Sequence, residues 1–244
     1  MSTAKYCFAA ALAMLLGVCA CTINGNAPTG QLQTDVKEVK LGDAKSVRVE
    51  IKMGAGELKV VGGAMDLLDG QFTYNVAAWK PQVEYAVHGS EGLLTVQQPG
   101  HVGSMGNVRY EWDLRLNEKV PMSMSVELGA GRAELTLGKL SLNKLHLRMG
   151  AGETIVDLTG DWKNDLAAQI SGGVGRATVR LPRDVGVRVT AAGGIGAINA
   201  HDLRKEGDAY VNDAYGKSPV TLRVDVKGGV GEINLELGEA PGVV

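Results

Sequence analysis

A Gly-x-Gly tripeptide that recurs six times constrains this chain more than any other feature. The copies occupy residues 54–56, 129–131, 150–152, 173–175, 194–196 and 229–231. From the second to the fifth copy, the first glycines are 21, 23 and 21 residues apart. The last step of 35 residues equals one such unit plus an insert of about 14, and the first step of 75 contains a longer insertion. Spacing this regular indicates a repeat architecture.

Apolar residues alternate with polar ones on both sides of each tripeptide. Val49 and Ile51 precede the first copy at the fifth and third positions, and Leu135 and Leu137 follow the second copy at the fourth and sixth. Period-two alternation predicts a strand with one buried face on either side of a glycine turn. One such unit cannot bury its apolar face alone. We therefore predict an all-β fold, a single-stack β-solenoid of about 21–23-residue coils in which successive units stack.

Charged residues directly after the tripeptides favour the same stacking. If neighbouring coils lie one strand spacing apart, Arg132, Glu153 and Arg176 form a ladder of alternating sign. Asp157 would likewise face Arg180 in the next coil. Opposite charges at these positions would help to fix the register between coils.

The N-terminus predicts secretion and lipidation. Residues 1–20 have a short basic start and an uncharged apolar run, which is typical of a signal peptide. The segment 18–21 (VCAC) resembles a bacterial lipobox, with Cys21 as the lipidated residue. An ordinary signal peptide cleaved nearby is the alternative. Thr22 after the cysteine resembles the outer-membrane sorting pattern of cells with two membranes, and residues 21–45 are predicted to form a polar tether.

The rest of the chain divides into three further segments. Residues 46–120 are predicted to hold the first coil and a hairpin insertion, with antiparallel hairpins that cap the N-terminal end of the solenoid. Residues 121–238 contain the remaining repeats, and residues 239–244 form a C-terminal tail.

The insert before the last coil is a candidate binding loop, because loops on rigid scaffolds commonly bind ligands. Its polar and aromatic residues are Tyr210, Asn212, Asp213, Tyr215 and Lys217. The alternative is that the two tyrosines only pack the loop against the last coil.

Tryptophans offer a second candidate site. Trp79 and Trp112, with Trp162 as a third, could present ring faces to a sugar. Scattered tryptophans also commonly pack caps and edges, so both interpretations stay open.

The chemistry-bearing residues predict no catalytic or metal site. All three cysteines lie within the first 21 residues, and the four histidines share no metal-ligand spacing. None of the glycine motifs leads into a helix or a Gly-Lys-Ser/Thr signature, as a phosphate loop would. A glycan-cleaving enzyme would need paired carboxylates in one groove, and the candidates Glu134, Asp157 and Asp225 belong to different coils.

Three segments carry a resemblance to a known family. These are residues 111–117 (EWDLRLN), 181–187 (LPRDVGV) and 210–217 (YVNDAYGK). Together with the Gly-x-Gly coils, they resemble the bacterial toast-rack family, which is related more distantly to cell-wall-active antibiotic response proteins and adhesin-like head domains. The resemblance covers about residues 47–237. It implies a β-solenoid with a distinct N-terminal portion, and no activity, cofactor or catalytic residue.

The sequence thus predicts a lipid-anchored envelope protein that acts as a non-catalytic scaffold or binding module. Its partners would be the membrane, through lipid on Cys21, and an envelope protein or cell-wall glycan. No cofactor is expected. A net charge of −2 without a basic stripe gives no reason to expect nucleic acid. The alternatives are a glycan-binding protein that uses exposed aromatics and a carbohydrate-active enzyme.

Overall fold

The computed structural model describes residues 29–100 and 107–238, which form strands joined by short turns. A single 3₁₀ turn in these ranges covers Ala77–Trp79. The strands are β1 Gln33–Val39, β2 Ser46–Ala64, β3 Leu68–Tyr74, β4 Gln82–His88, β5 Glu91–Gln97, β6 Tyr110–Asn117, β7 Met122–Thr136, β8 Leu142–Asp157, β9 Leu166–Leu181, β10 Gly186–His201, β11 Arg204–Glu206, β12 Ala209–Val211 and β13 Thr221–Leu237.

Six long parallel strands form the repeat. In β2, β7, β8, β9, β13 and β10 the Gly-x-Gly tripeptide lies near the middle, where it divides the strand into a first and a second arm. The strands pair in register, so the six bends lie in one column. Along this column the middle residues of the tripeptides pair in the order Ala55, Ala130, Ala151, Val174, Val230 and Ile195. The predicted β-solenoid is confirmed.

Two different physical causes require glycine at the bend. A Cβ on Gly150, the first glycine of its tripeptide in β8, would lie 2.2 Å from the carbonyl oxygen of Gly129 in the neighbouring strand β7. Gly152, the second glycine, has a φ of 132°, which side chains rarely adopt. Close strand approach therefore requires the first glycine, and both close approach, here to the carbonyl oxygen of Gly131, and backbone geometry require the second.

The alternating apolar residues face a shared interior, as predicted. Val49 and Ile51 on a first arm are fully buried, as are Leu135 and Leu137 on the far side of a bend. One continuous hydrophobic core runs through the stack from β2 to β10. Burial of these side chains is the main stabilising contribution, at roughly 1.5–3 kcal/mol for each large aliphatic side chain.

The last two coils do not stack in chain order. β13 lies between β9 and β10, so the expectation that successive units stack is wrong at this end. The charges favour this order. Glu232 of β13 lies 3.0 Å from Arg176 of β9, whereas β10 would place the uncharged Ala197 there. The ladder predicted from Arg132 through Glu153 to Arg176 thus continues to Glu232.

The N-terminal end of the stack is covered, as predicted, but by more than hairpins. β5 runs parallel to the first arm of β2, and β6 runs parallel to its second arm. Together they form one further coil that lacks a Gly-x-Gly bend. The antiparallel strand β4 covers β5, and β3 followed by β1 covers β6. Gln98, directly after β5, ties this strand to the bend of β2, because its Oε1 accepts a hydrogen bond of 2.8 Å from the amide of Gly54.

The prediction of a tether over residues 21–45 is wrong for residues 33–39. Gln33–Val39 forms β1 and pairs antiparallel with β3. This strand was missed because its side chains are mostly exposed, and backbone pairing rather than an apolar face holds it. The predicted signal peptide, Cys21 and the tail 239–244 lie outside the described residues. Within those residues, no helix has the length and apolarity needed to cross a bilayer.

Candidate functional site

Asn212, one of the predicted loop residues, is a buried structural clamp. Its Oδ1 accepts a hydrogen bond of 3.0 Å from the amide of Val187 in β10. Its Nδ2 donates to the carbonyl oxygens of Val185 at 2.8 Å and Pro182 at 3.1 Å. Only 2% of the residue is exposed, and its amide group is fully used in holding the insert against β10. Asn212 is therefore unavailable to a ligand in this structure.

The other loop residues lie nearer to solvent. Tyr210 in β12 is half-buried, and the ammonium of Lys205 lies 5.9 Å from its ring centroid. Tyr215 is also half-buried, whereas Asp213 and Lys217 are exposed within a turn. The half-burial of both tyrosines favours packing of the loop against β10, and binding by this loop stays a prediction.

The tryptophans do not present ring faces to solvent, which corrects the aromatic-contact prediction. Trp79 and Trp112 are 2% and 1% exposed. Tyr110 lies between them, with its ring centroid 5.6 Å from each, and its hydroxyl donates to the carbonyl of Trp79 at 2.7 Å. Burial raises the pKa of Tyr110. Trp162 is also buried and donates to Leu158 O, so all three tryptophans pack the scaffold.

Each candidate carboxylate of the enzyme alternative lies on a different strand and has its own partner. Glu134 lies on the second arm of β7, 3.9 Å from Arg132. Asp157 ends the second arm of β8 and accepts a hydrogen bond from the amide of Thr159. Asp225 lies on the first arm of β13 and accepts from the hydroxyl of Thr190. In the described ranges, no three His, Cys, Asp or Glu residues are placed to bind a metal ion.

The bends of the last three coils differ in composition from those of the earlier coils. Earlier in the stack, a large buried residue such as Met149 precedes the tripeptide and alanine occupies its centre. In β9, β13 and β10, glycine precedes the tripeptide and a branched apolar residue occupies its centre. These central residues are Val174, Val230 and Ile195, which we call the apolar bend column.

The apolar bend column is exposed. The exposed fractions are 57% for Val174, 46% for Val230 and 73% for Ile195. The three strands are direct neighbours, so the side chains form one continuous row. Contiguous exposed apolar residues are typical of interaction sites. Sequence reasoning missed this site, although the change from Gly-Ala-Gly to Gly-Gly-Val/Ile-Gly signals it.

A small apolar cavity of about 30 Å³ lies beneath this column. Gly172, Gly193 and Gly228 line it, at the positions where the earlier coils have Met53, Leu128 and Met149, and Met149 and Ile233 also contribute to the lining. Since one water molecule needs roughly 10–15 Å³, the cavity is too small for an organic ligand. The outer surface of the column, rather than an internal pocket, is the candidate site.

A family model matches most of the repeat. Residues 28–180 match the model described as the N-terminal domain of toast_rack, DUF2154. The chain belongs to the toast-rack family. The match ends within β9, so β10 to β13 of this toast-rack protein lie beyond it.

One solved structure with a high TM-score shares the fold of this toast-rack chain, and weaker matches are also found. One is described as a putative cell adhesion protein from Clostridium sporogenes, with 36% identity, a TM-score of 0.83, and coverage of 85% of this chain and 100% of the other. A putative adhesin from Bacteroides fragilis has 12% identity, a TM-score of 0.30, and coverage of 85% and 98%. A putative lipid binding protein from Parabacteroides distasonis has 10% identity, a TM-score of 0.29, and coverage of 86% and 98%. No curated protein matches the chain.

Proposed function

We propose that this chain is a lipid-anchored, non-catalytic binding module of the cell envelope, and that the apolar bend column contacts a partner protein. The exposed row of Val174, Val230 and Ile195 on a stacked, rigid scaffold carries the proposal. The similar protein from Clostridium sporogenes is described as a putative cell adhesion protein, which supports a binding role. The candidate carboxylates, which lie on different strands, give no support to catalysis.

The chemistry of the column favours a protein partner over a glycan. Sugars are commonly bound on aromatic ring faces, and all three tryptophans are buried. The column instead presents aliphatic groups, which lose unfavourable contact with water when another apolar surface covers them. A glycan partner thus has little support from this surface.

The lipid on Cys21 would keep the module near a membrane. Residues 22–32 separate that cysteine from β1, and 11 residues span at most roughly 40 Å when extended. A solenoid on a tether of this length would stay close to the membrane and could bind partners there. Thr22 after the cysteine supports localisation of the protein to the outer membrane in cells with two membranes.

Lipidation is tested with the full-length chain and Cys21→Ser. Metabolic labelling with an alkyne fatty acid should label the native chain and Cys19→Ser, which is the matched control, but not Cys21→Ser. The native chain should sediment with membranes, whereas Cys21→Ser should be found in the soluble fraction. Equal labelling of all three chains would contradict lipidation at Cys21.

Partner binding is tested by photo-crosslinking in intact cells. A photoreactive amino acid at position 174 or 230 of the full-length chain should give discrete adducts with an envelope protein. The matched control is position 36, because Val36 is also exposed, at 65%, but lies on β1 at the other end of the stack. Adducts with glycan, or adducts equal at all three positions, would contradict the proposed surface.

A further inference from the structure

The second arm of β10 is an open sheet edge. Within the described residues, β12 pairs on the outer side of β10 only with Arg188–Thr190. Residues 191–201 pair with β13 on their inner side and have no partner on their outer side. Their outward N–H and C=O groups are therefore available to another strand, and such edges readily pair with another chain.

This edge lacks the charges that protect other edges. Residues 191–200 contain no charged side chain, whereas the matching stretch of β13 carries Lys227 and Glu232. The opposite edge of the sheet, β1, is protected in the usual way by Asp35, Lys37 and Glu38. Of the two ends of the described sheet, one has an uncharged and unpaired edge, and this difference indicates that another strand covers that edge.

The edge strand also carries apolar side chains that are only partly buried. Ile195 at its bend is the most exposed member of the apolar bend column, at 73%. Ile198 and Ala200 on the second arm point into the core but are only half-buried, because no further coil covers them. A strand added to β10 would complete the burial of these residues as well as the backbone pairing.

The composition of the edge fits a second copy of the same chain. In a two-fold dimer, two β10 strands pair antiparallel, and every residue meets one from the same stretch. Since residues 191–200 are uncharged, no choice of two-fold centre places like charges opposite each other. Asn199 already donates to Asn234 at 2.8 Å, and an amide carries both donor and acceptor groups, so it can also pair with its own copy.

We propose that this protein forms a two-fold homodimer by antiparallel pairing of the open edge of β10, residues 191–201, which includes the bend and the second arm. This surface shares Ile195 with the apolar bend column and leaves Val174 and Val230 to the envelope partner. The dimer joins two solenoids end to end into one sheet and leaves the charged β1 edges at its outer ends.

The test is thiol crosslinking of the full-length chain in cells that express two copies with tags of different size. With a short bismaleimide reagent, Ala197→Cys should give a covalent dimer that contains both tags. Thr34→Cys, which is also at an exposed position, on the β1 edge, and the parent chain with only its native cysteines should stay monomeric. A monomeric Ala197→Cys chain, or an adduct with another protein in place of the two-tag dimer, would overturn the proposal.

A second variant separates edge pairing from accidental proximity. Adding Asn199→Lys to Ala197→Cys places a charge on the edge, and the crosslinked fraction should fall at least tenfold while the thermal unfolding curve shifts little. If the fold is lost in this variant, the comparison of Ala197→Cys with Thr34→Cys still decides. An undiminished dimer band from a folded double variant would show that the edge is not the interface.

Discussion

Gly172 and Gly173 are adjacent in sequence but serve different purposes in β9. A Cβ on Gly172 would meet no atom within 4 Å, because the position borders the cavity under the apolar bend column. A Cβ on Gly173 would lie 2.3 Å from the carbonyl oxygen of Gly150. The first glycine leaves space unfilled, whereas the second permits the close approach of two strands.

These neighbours give a matched pair of substitutions. Gly172→Ala should raise the free energy of unfolding by about 0.4–1 kcal/mol, because it restricts the unfolded chain and adds a methyl group to empty space. Gly173→Ala should lower it by about 1–3 kcal/mol, since neighbouring strands must separate to admit the Cβ. Urea unfolding measures both values. The opposite order of stability would contradict the described bend.

Asn212 gives a second residue-scale prediction. Asn212→Ala should lower the free energy of unfolding by about 2–4 kcal/mol, because it leaves the amide of Val187 and the carbonyl of Val185 without their side-chain partner. Asp213→Ala, one position along and exposed, should change it by less than about 0.5 kcal/mol. Urea unfolding again measures the difference. Equal effects of the two substitutions would show that Asn212 is not a clamp.

Inward positions and glycine bends could be predicted from the sequence, but the role of Asn212 could not. Alternation identifies Val49 or Leu135 as buried because each follows a period shared by a whole strand. Asn212 lies in an insert without a period, and its burial depends on carbonyl groups about 30 residues away. The tryptophans were ambiguous for the same reason, since their neighbours come from other elements.

At the scale of elements, β1 is held by a small polar cluster. Asp35 lies 2.9 Å from the ammonium of Lys80, and the hydroxyl of Tyr74 donates to it at 3.0 Å. The hydrogen bonds from Lys80 and Tyr74 lower the pKa of Asp35 below its ordinary value. A carboxyl group with a lowered folded-state pKa stabilises the fold above its unfolded pKa, and loses that contribution as the pH falls through the folded value.

This cluster predicts acid-induced release of β1. Below about pH 4, where an ordinary aspartate takes up a proton, hydrogen exchange of Gln33–Val39 should accelerate relative to β8. Asp35→Asn should show fast exchange in β1 already at neutral pH, with little further change on acidification. A native chain whose β1 and β8 lose protection together would contradict a separate opening of β1.

The charge ladder ties β9 to β13 and gives a second element-scale prediction. A double-mutant cycle with Arg176→Ala and Glu232→Ala should give a coupling of about 0.3–1 kcal/mol, since both side chains are half-exposed. The same cycle between Arg176 and Glu57, which belongs to β2, should give none. Urea unfolding at low salt measures both couplings. Absence of coupling to Glu232 would question the position of β13.

Elements with strong periodicity were predictable, and those without it were not. The six bent strands repeat one pattern, so each copy supports the others. β1 shows no apolar face. β5 and β6 form a coil without a Gly-x-Gly tripeptide, so the sequence pattern does not identify this coil as part of the repeat. These elements are defined by the strands they pair with rather than by their own sequence.

For the whole molecule, the sequence predicted the stack but not the order of its last coils. Chain order is the default for a solenoid, and a hairpin of β11 and β12 allows the chain to return between β9 and β10. Arg176 with Glu232 and Arg180 with Glu236 favour that return. These charges are visible in the sequence, but each pair contributes too little energy for the preference to be evident beforehand.

The architecture rests on one column of aligned bends in which β13 separates β9 from β10. Cysteine pairs in the full-length chain test it, because residues paired on neighbouring strands lie close enough for a disulfide, whereas the next strand, roughly 9–10 Å away, does not. After mild oxidation and peptide mapping by mass spectrometry, Arg176→Cys with Glu232→Cys should give a 176–232 crosslink. Arg176→Cys with Ala197→Cys should give none within one chain. An intrachain 176–197 crosslink without the 176–232 crosslink would contradict this strand order.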